Sequence, residues 1–257
     1  MDRPIEKLIE AASTTVEEAR RRAHHDAGRI GALIESMSVL ADLRMKDGDI
    51  RKAESLYREA LSRVNEQRKP DGKLLAGIYS LIAQLNERSG RMDEAAKFYE
   101  KALQIGEQMG LNTSDETATI KNNLAIIFKG LRDKSKAETY YREALDIFRE
   151  LHGENSGQVA SVCNNLGVLY YANLDVERAQ EMHERALSIR EKLGEDEINP
   201  ADLAQTYMNL AAVSKATGNF QKAQECLERA KGLRQASAGE DSPDPRRVAK
   251  LIIDVTA

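Results

Sequence analysis

Small and apolar positions recur along the chain at a fixed interval. Alanines stand in pairs seven residues apart, Ala53/Ala60, Ala95/Ala102, Ala137/Ala144, Ala179/Ala186 and Ala223/Ala230, and successive pairs are offset by 42, 42, 42 and 44 residues. Twelve residues before the first alanine of each pair lies another small residue, Ala41, Ala83, Ala125, Gly167 or Ala211, each preceded by Leu or Ile. Four residues after that alanine comes a larger side chain: Tyr57, Tyr99, Tyr141, His183 and Leu227. A regular period of this length marks an architecture in which each repeat is one supersecondary unit. Small residues let helices approach closely while larger ones fill the gaps between them. The pattern therefore predicts antiparallel helical hairpins stacked in series, each burying too little to be stable alone.

Turn signals fall where this scheme needs them. Gly48, Gly90 and Gly218 lie between the first and second helix of their repeats, as helix C-caps. Pro70 and Pro200 occupy repeat junctions, Pro4 starts the first helix, and Pro243 and Pro245 precede the last. The junctions DGK, LNTSDE, HGENSG and GEDEINP are polar and turn-prone. The predicted frame has five hairpins over 33–236, at about 34–75, 76–117, 118–159, 160–203 and 204–236. In residues 1–32, Ala12, Val16 and Ala19 repeat the spacing of Ala53, Tyr57 and Ala60, which predicts a degenerate half-repeat capping that end. A linker over 237–244 leads to a C-terminal segment, 245–257, with Val248, Leu251, Ile252 and Val255 on one helical face. That segment is expected to cap the last repeat; a detachable partner-binding helix is the other reading.

Composition narrows the class without changing the fold. The 257 residues include 33 Ala but no Trp, with aromatics at 5% and charged residues at 31%, which favours an all-α chain over sheets or barrels. Hydrophobic residues at 41% allow a real core. The formal charge of −4 argues against a general nucleic-acid binder. Apolar runs no longer than LAIIF and acids within the first ten residues predict neither a membrane span nor a signal peptide. Cys163 and Cys226 sit among hydrophobic neighbours in helical pattern and read as reduced packing residues, so a cytoplasmic location is expected. Charge is uneven: residues 153–203 hold ten acids against four bases, while 204–257 hold eight bases against six acids. A charge-oriented partner and ordinary surface composition explain this equally well.

Candidate chemistry is sparse. His24 and His25 are adjacent rather than four apart, so they do not form a metal pair, and beside Arg20, Arg21 and Arg22 they read as a solvated basic patch. His152 lies in a turn and His183 replaces an aromatic packing residue. No metalloprotease, thiol-redox, nucleophile-elbow, P-loop or dinucleotide motif occurs, and carboxylates are scattered along helix surfaces. Neither catalytic residue, cofactor nor metal is predicted.

The leucine, the following small residue and the two second-helix alanines resemble the tetratricopeptide repeat family, whose tryptophan and first-helix tyrosine are mostly replaced here. The 42-residue period, with NNLAIIF, NNLGVLYY and MNLAAV opening three repeats and the segment YREALDIFRELHGENSGQVA, is similar to kinesin light chain. This resemblance implies a right-handed superhelical solenoid with first helices lining a concave groove. It further implies that a ligand faces the second, fifth, sixth, ninth and twelfth positions of each repeat. Those positions include Asn122 and Asn164 at the fifth, Asn123, Asn165 and Asn209 at the sixth, and Lys129, Tyr171 and Lys215 at the twelfth.

Asn in a helix interior is about 0.5–0.7 kcal/mol worse than Ala, so a column of five wants a reason. A primary amide can both donate to and accept from an extended peptide backbone, and the resemblance to kinesin light chain implies such a cargo-binding use. Amide bonds between neighbouring helices are the alternative. The second and fifth positions lack Lys and Arg, so the carboxylate clamp of chaperone-binding relatives is absent. Without sustained heptads for a motor coiled coil, the nearly bare repeat array resembles the bacterial kinesin-light-chain-like proteins that accompany bacterial tubulins. The implied function is a non-catalytic scaffold that binds and stabilises tubulin-like filaments. The alternative is a peptide-binding regulatory or chaperone-type adaptor. The expected partner is a protein, with neither nucleic acid nor membrane involved.

Overall fold

A computed structural model of the chain describes residues 4–25, 29–68, 70–194 and 197–238. Among the described residues the regular elements are α1 (Pro4–His25), α2 (Ile30–Lys46), α3 (Ile50–Asn65), α4 (Gly72–Arg88), α5 (Met92–Gln108), α6 (Asp115–Gly130), α7 (Lys134–His152), α8 (Gly157–Ala172), α9 (Val176–Lys192), α10 (Pro200–Ala216) and α11 (Phe220–Ala238). They fall into two compact units, Met1–Asn112 and Thr113–Ala257. The expected linker over 237–244 begins inside α11; its remainder and the expected cap over 245–257 lie outside the described residues.

In the first unit α2/α3 and α4/α5 pack as hairpins and α1 lies along α2. Ile9 and Val16 of α1 join Leu33, Met37, Ala53 and Tyr57 in one apolar core, with Ala12 and Ala19 packed at its margin. Arg20 of α1 also reaches α3, its Nε donating to Glu59 Oε1 at 2.9 Å. In the second unit the hairpins are α6/α7, α8/α9 and α10/α11, with α8 resting on α7 and α10 on α9. All fourteen alanines of the repeat pattern and Gly167 are buried. Small residues at these places let helix backbones meet closely, and a bulkier one would have no space to enter.

The helix ends follow from local chemistry. Asp49, Asp133, Asp175 and Asn219 cap the second helices of their hairpins, accepting from the amides of Lys52, Lys136, Arg178 and Lys222. Asp71, Ser114, Ser156 and Asn199 cap first helices in the same way. A side-chain oxygen there satisfies an amide that has no partner within the helix. Behind these caps first helices start at Gly72, Asp115, Gly157 and Pro200, while α2 starts at Ile30 after Arg29, which makes no side-chain cap bond. Each start precedes the repeat boundary drawn from the alanine pattern by three or four residues.

The turn inside each hairpin closes on one residue in the left-handed region. Gly48, Gly90 and Gly218 take φ of 85°, 76° and 76°, as their expected C-cap role requires. Arg132 and Leu174 hold the same place in the α6/α7 and α8/α9 turns with φ of 64° and 63°, a conformation that disfavours a side chain. No described helix is long and apolar enough to cross a membrane.

Candidate partner-binding face

The second unit sets α6, α8 and α10 side by side, and the asparagine column lies where they meet. Asn165 Nδ2 of α8 donates to Asn122 Oδ1 of α6 at 3.0 Å. Asn209 Nδ2 of α10 donates to Asn164 Oδ1 of α8 at 2.9 Å, and Gln205 Nε2 donates to Asn209 Oδ1 at 3.0 Å. These amides therefore tie successive first helices together, the structural use held open by the sequence. Each such bond takes one donor and one acceptor from groups that own two of each. Asn122, Asn123, Asn165 and Asn209 are half-buried, and Asn164 is buried.

The twelfth-position residues stand near the C-terminal ends of the same helices. Lys129 on α6 is half-buried, and burial pulls its ammonium below the usual lysine range. Tyr171 on α8 is exposed, with its Oη 3.5 Å from the Ala212 carbonyl of α10. Lys215 on α10 is exposed. In the first unit the residue at this register is Glu87, whose carboxyl is raised by burial and accepts from Tyr99 Oη at 3.4 Å. With Lys129 in that place, the corresponding Tyr141 Oη is buried with no hydrogen-bond partner.

Two buried polar groups brace this face from behind, and neither stood out in the sequence as a site. His183 lies flat over Gly167: a Cβ on that glycine would sit 2.6–2.7 Å from three imidazole atoms. Its Nδ1 is 3.0 Å from Asn164 Oδ1, so the ring donates there and Asn164 accepts twice. Burial, reinforced by the nearby Arg190, lowers the His183 pKa to about 4, and the ring is neutral at physiological pH. Arg190 of α9 is also buried; it donates to Thr206 Oγ1, to the Asp202 carbonyl at 3.0 Å and to Ser161 Oγ at 3.4 Å. Burial lowers its pKa from the ordinary guanidinium value.

Ser161 and Asp202 in turn line a cavity of about 310 Å³, together with Thr119, Asn122, Phe148 and Val162. The sole sequence sign of this cavity was that Thr119 and Ser161 occupy second positions of the groove frame. Among the described residues no group of His, Cys, Asp and Glu could hold a metal ion.

These stacked hairpins with small-residue seams define a class, and family models agree with it. The tetratricopeptide repeat model matches residues 33–108 and 116–192, and a second tetratricopeptide repeat model matches 203–244. The chain belongs to the tetratricopeptide repeat family. Among solved structures it is similar to BtubC (BKLC) from P. vanneervenii, at 60% identity and a TM-score of 0.87 over 95% of this chain and 96% of that one. A Podosopora anserina protein of nearly identical TPR-like repeats shares the fold at 19% identity and a TM-score of 0.66, over 81% of this chain and 97% of that one. MamA shares it at 15% identity and 0.55, over 78% and 98%. No curated protein sequence matches the chain.

Proposed function

We infer that this chain is a non-catalytic scaffold that binds bacterial tubulin-like filaments and stabilises them, docking through the first-helix face of the second unit. The observation that carries the reading is the 60% identity to BtubC over nearly the full length of both chains, joined to the kinesin-light-chain-like repeat. The proposed contact residues are Asn122, Asn123, Asn164, Asn165, Asn209, Lys129, Tyr171 and Lys215. Amide cross-ties between α6, α8 and α10 favour such a role, because a face already held in register loses less freedom on docking. A protein that binds polymer better than free subunits stabilises the polymer by mass action, with no catalytic step. Co-sedimentation at low salt tests this: the protein is expected in the pellet with assembled bacterial tubulin, and its retention in the supernatant overturns the reading.

The cavity beside Asn122, where apolar Phe148 and Val162 meet polar Thr119 and Ser161, favours a second reading, an adaptor for extended peptides. Binding of synthetic extended peptides that is abolished by Asn123→Ala together with Asn165→Ala, without filament binding, would select it.

A further inference from the structure

The last described helix, α11, carries an apolar strip whose central position its counterparts bury. Tyr57, Tyr99, Tyr141 and His183 are all buried, yet Leu227, at the same place on α11, is 53% exposed. Two turns further along the helix, Val64, Gly106, Phe148 and Arg190 are buried, whereas Arg234 is exposed. Phe220, at the start of α11, is 67% exposed.

In the preceding hairpin α10 packs on α9 and covers the C-terminal part of the equivalent strip. Arg190 of α9 bonds to the Asp202 carbonyl and to Thr206, and Tyr207 Oη donates to Glu191 at 2.9 Å. On α11 the corresponding residues, Arg234 and Gln235, are both exposed. The α11 strip is thus shaped for one more first helix.

The chain beyond Ala238 contains a sequence in that register. α10 opens with Asn199 as N-cap and Pro200 in its first turn, and 45 residues later stand Asp244 and Pro245. Asp and Asn are both strong N-caps, and Pro is favoured at the first helical position. The same offset carries the buried α10 positions Leu203, Ala204, Thr206, Tyr207, Leu210 and Ala211 onto Val248, Ala249, Leu251, Ile252, Val255 and Thr256. It carries exposed Ala201, Asp202 and Gln205 onto Arg246, Arg247 and Lys250. Both the apolar face and the polar face are matched. The connection is also of the right length: 239–244 is six residues, as is 66–71 between α3 and α4.

We propose that residues 244–257 dock in cis on α11 as a further first helix, burying Leu227 under Leu251 and Ile252. Peptide-resolved hydrogen exchange on the full chain tests it. Amides 249–257 are expected to exchange at least about tenfold more slowly than an unstructured peptide of the same sequence. Leu227→Glu and, separately, Ile252→Glu are expected to abolish that protection while α6–α9 keep theirs. Exchange of 249–257 at the unstructured rate, with α10 and α11 protected, overturns the proposal. So does protection that disappears on dilution together with a dimer-to-monomer change in light scattering, which would assign the strip to a second copy. Protection of 249–257 that survives Leu227→Glu also overturns it, because the segment then rests elsewhere.

Discussion

At the fifth and sixth first-helix positions the first unit carries Ser38, Val39, Ser80 and Leu81, while the second carries Asn122, Asn123, Asn164, Asn165 and Asn209. At the ninth, Asp42 and Gln84 contrast with Ile126 and Val168; at the twelfth, Met45 and Glu87 contrast with Lys129, Tyr171 and Lys215. The buried small residues nevertheless recur in both units, alanine throughout except at Gly167. Close packing of helix backbones constrains those seam positions tightly, so they repeat. The fifth, sixth, ninth and twelfth first-helix positions lie off those seams and can diverge toward a partner. One unit braces its first helices with amides and a buried imidazole; the other places hydroxyl and apolar side chains there.

The contrast breaks most visibly with pH. His183 has a folded pKa near 4 against about 6.5 in the unfolded chain, so the unfolded state binds the proton first as pH falls. The stability this group contributes is complete above about pH 6.5 and is lost toward pH 4, by about 3 kcal/mol. Tyr57 holds an equivalent place in the first unit and stays neutral over that range, burial lifting its pKa to about 12. Urea melts of wild type and His183→Gln between pH 7 and 4 should differ by that amount, and parallel curves would remove the imidazole from the account.

Next in size is Gly167→Ala. Helix propensity alone favours the alanine by about 1 kcal/mol, but the new Cβ collides with His183, for a net loss of about 2 kcal/mol. The same change made in a His183→Ala background should lose most of that penalty in a double-mutant cycle. Asn164→Ala takes the acceptor from His183 Nδ1 and Asn209 Nδ2 and should destabilise by about 1–3 kcal/mol. Its first-unit counterpart Ser80 is half-buried, and Ser80→Ala should cost less, about 0.5 kcal/mol; equal losses in chemical denaturation would erase the distinction between the units. The smallest effect is at the turns. Leu174 is 86% exposed in a left-handed conformation, so Leu174→Gly should gain about 0.5 kcal/mol where Gly90→Leu loses about 1.

The repeat was readable from the chain because steric exclusion leaves few residue types at Ala125, Ala144 and their equivalents. Helix starts were less so: the caps Asp71, Ser114, Ser156 and Asn199 lie upstream of the alanine frame and differ in residue type from repeat to repeat. Arg132 and Leu174 gave no turn signal, since neither residue type favours positive φ. The asparagine column was visible, but its pairing was not. Asn122 meets Asn165 across 43 residues and Asn164 meets Asn209 across 45, offsets set by how neighbouring helices stagger. Arg190 was silent for a related reason. Its acceptors Ser161 and Thr206 stand 29 and 16 residues away, and each reads singly as an ordinary polar residue in a helix.

The scaffold reading rests on preferential binding to polymer, and the critical concentration of bacterial tubulin assembly measures that directly. Wild-type protein is expected to lower it, as is Ser80→Ala/Leu81→Ala in the first unit, while Asn123→Ala/Lys129→Ala in the second unit loses the effect. A critical concentration that wild-type protein leaves unchanged, or one that only the first-unit variant fails to lower, contradicts the account.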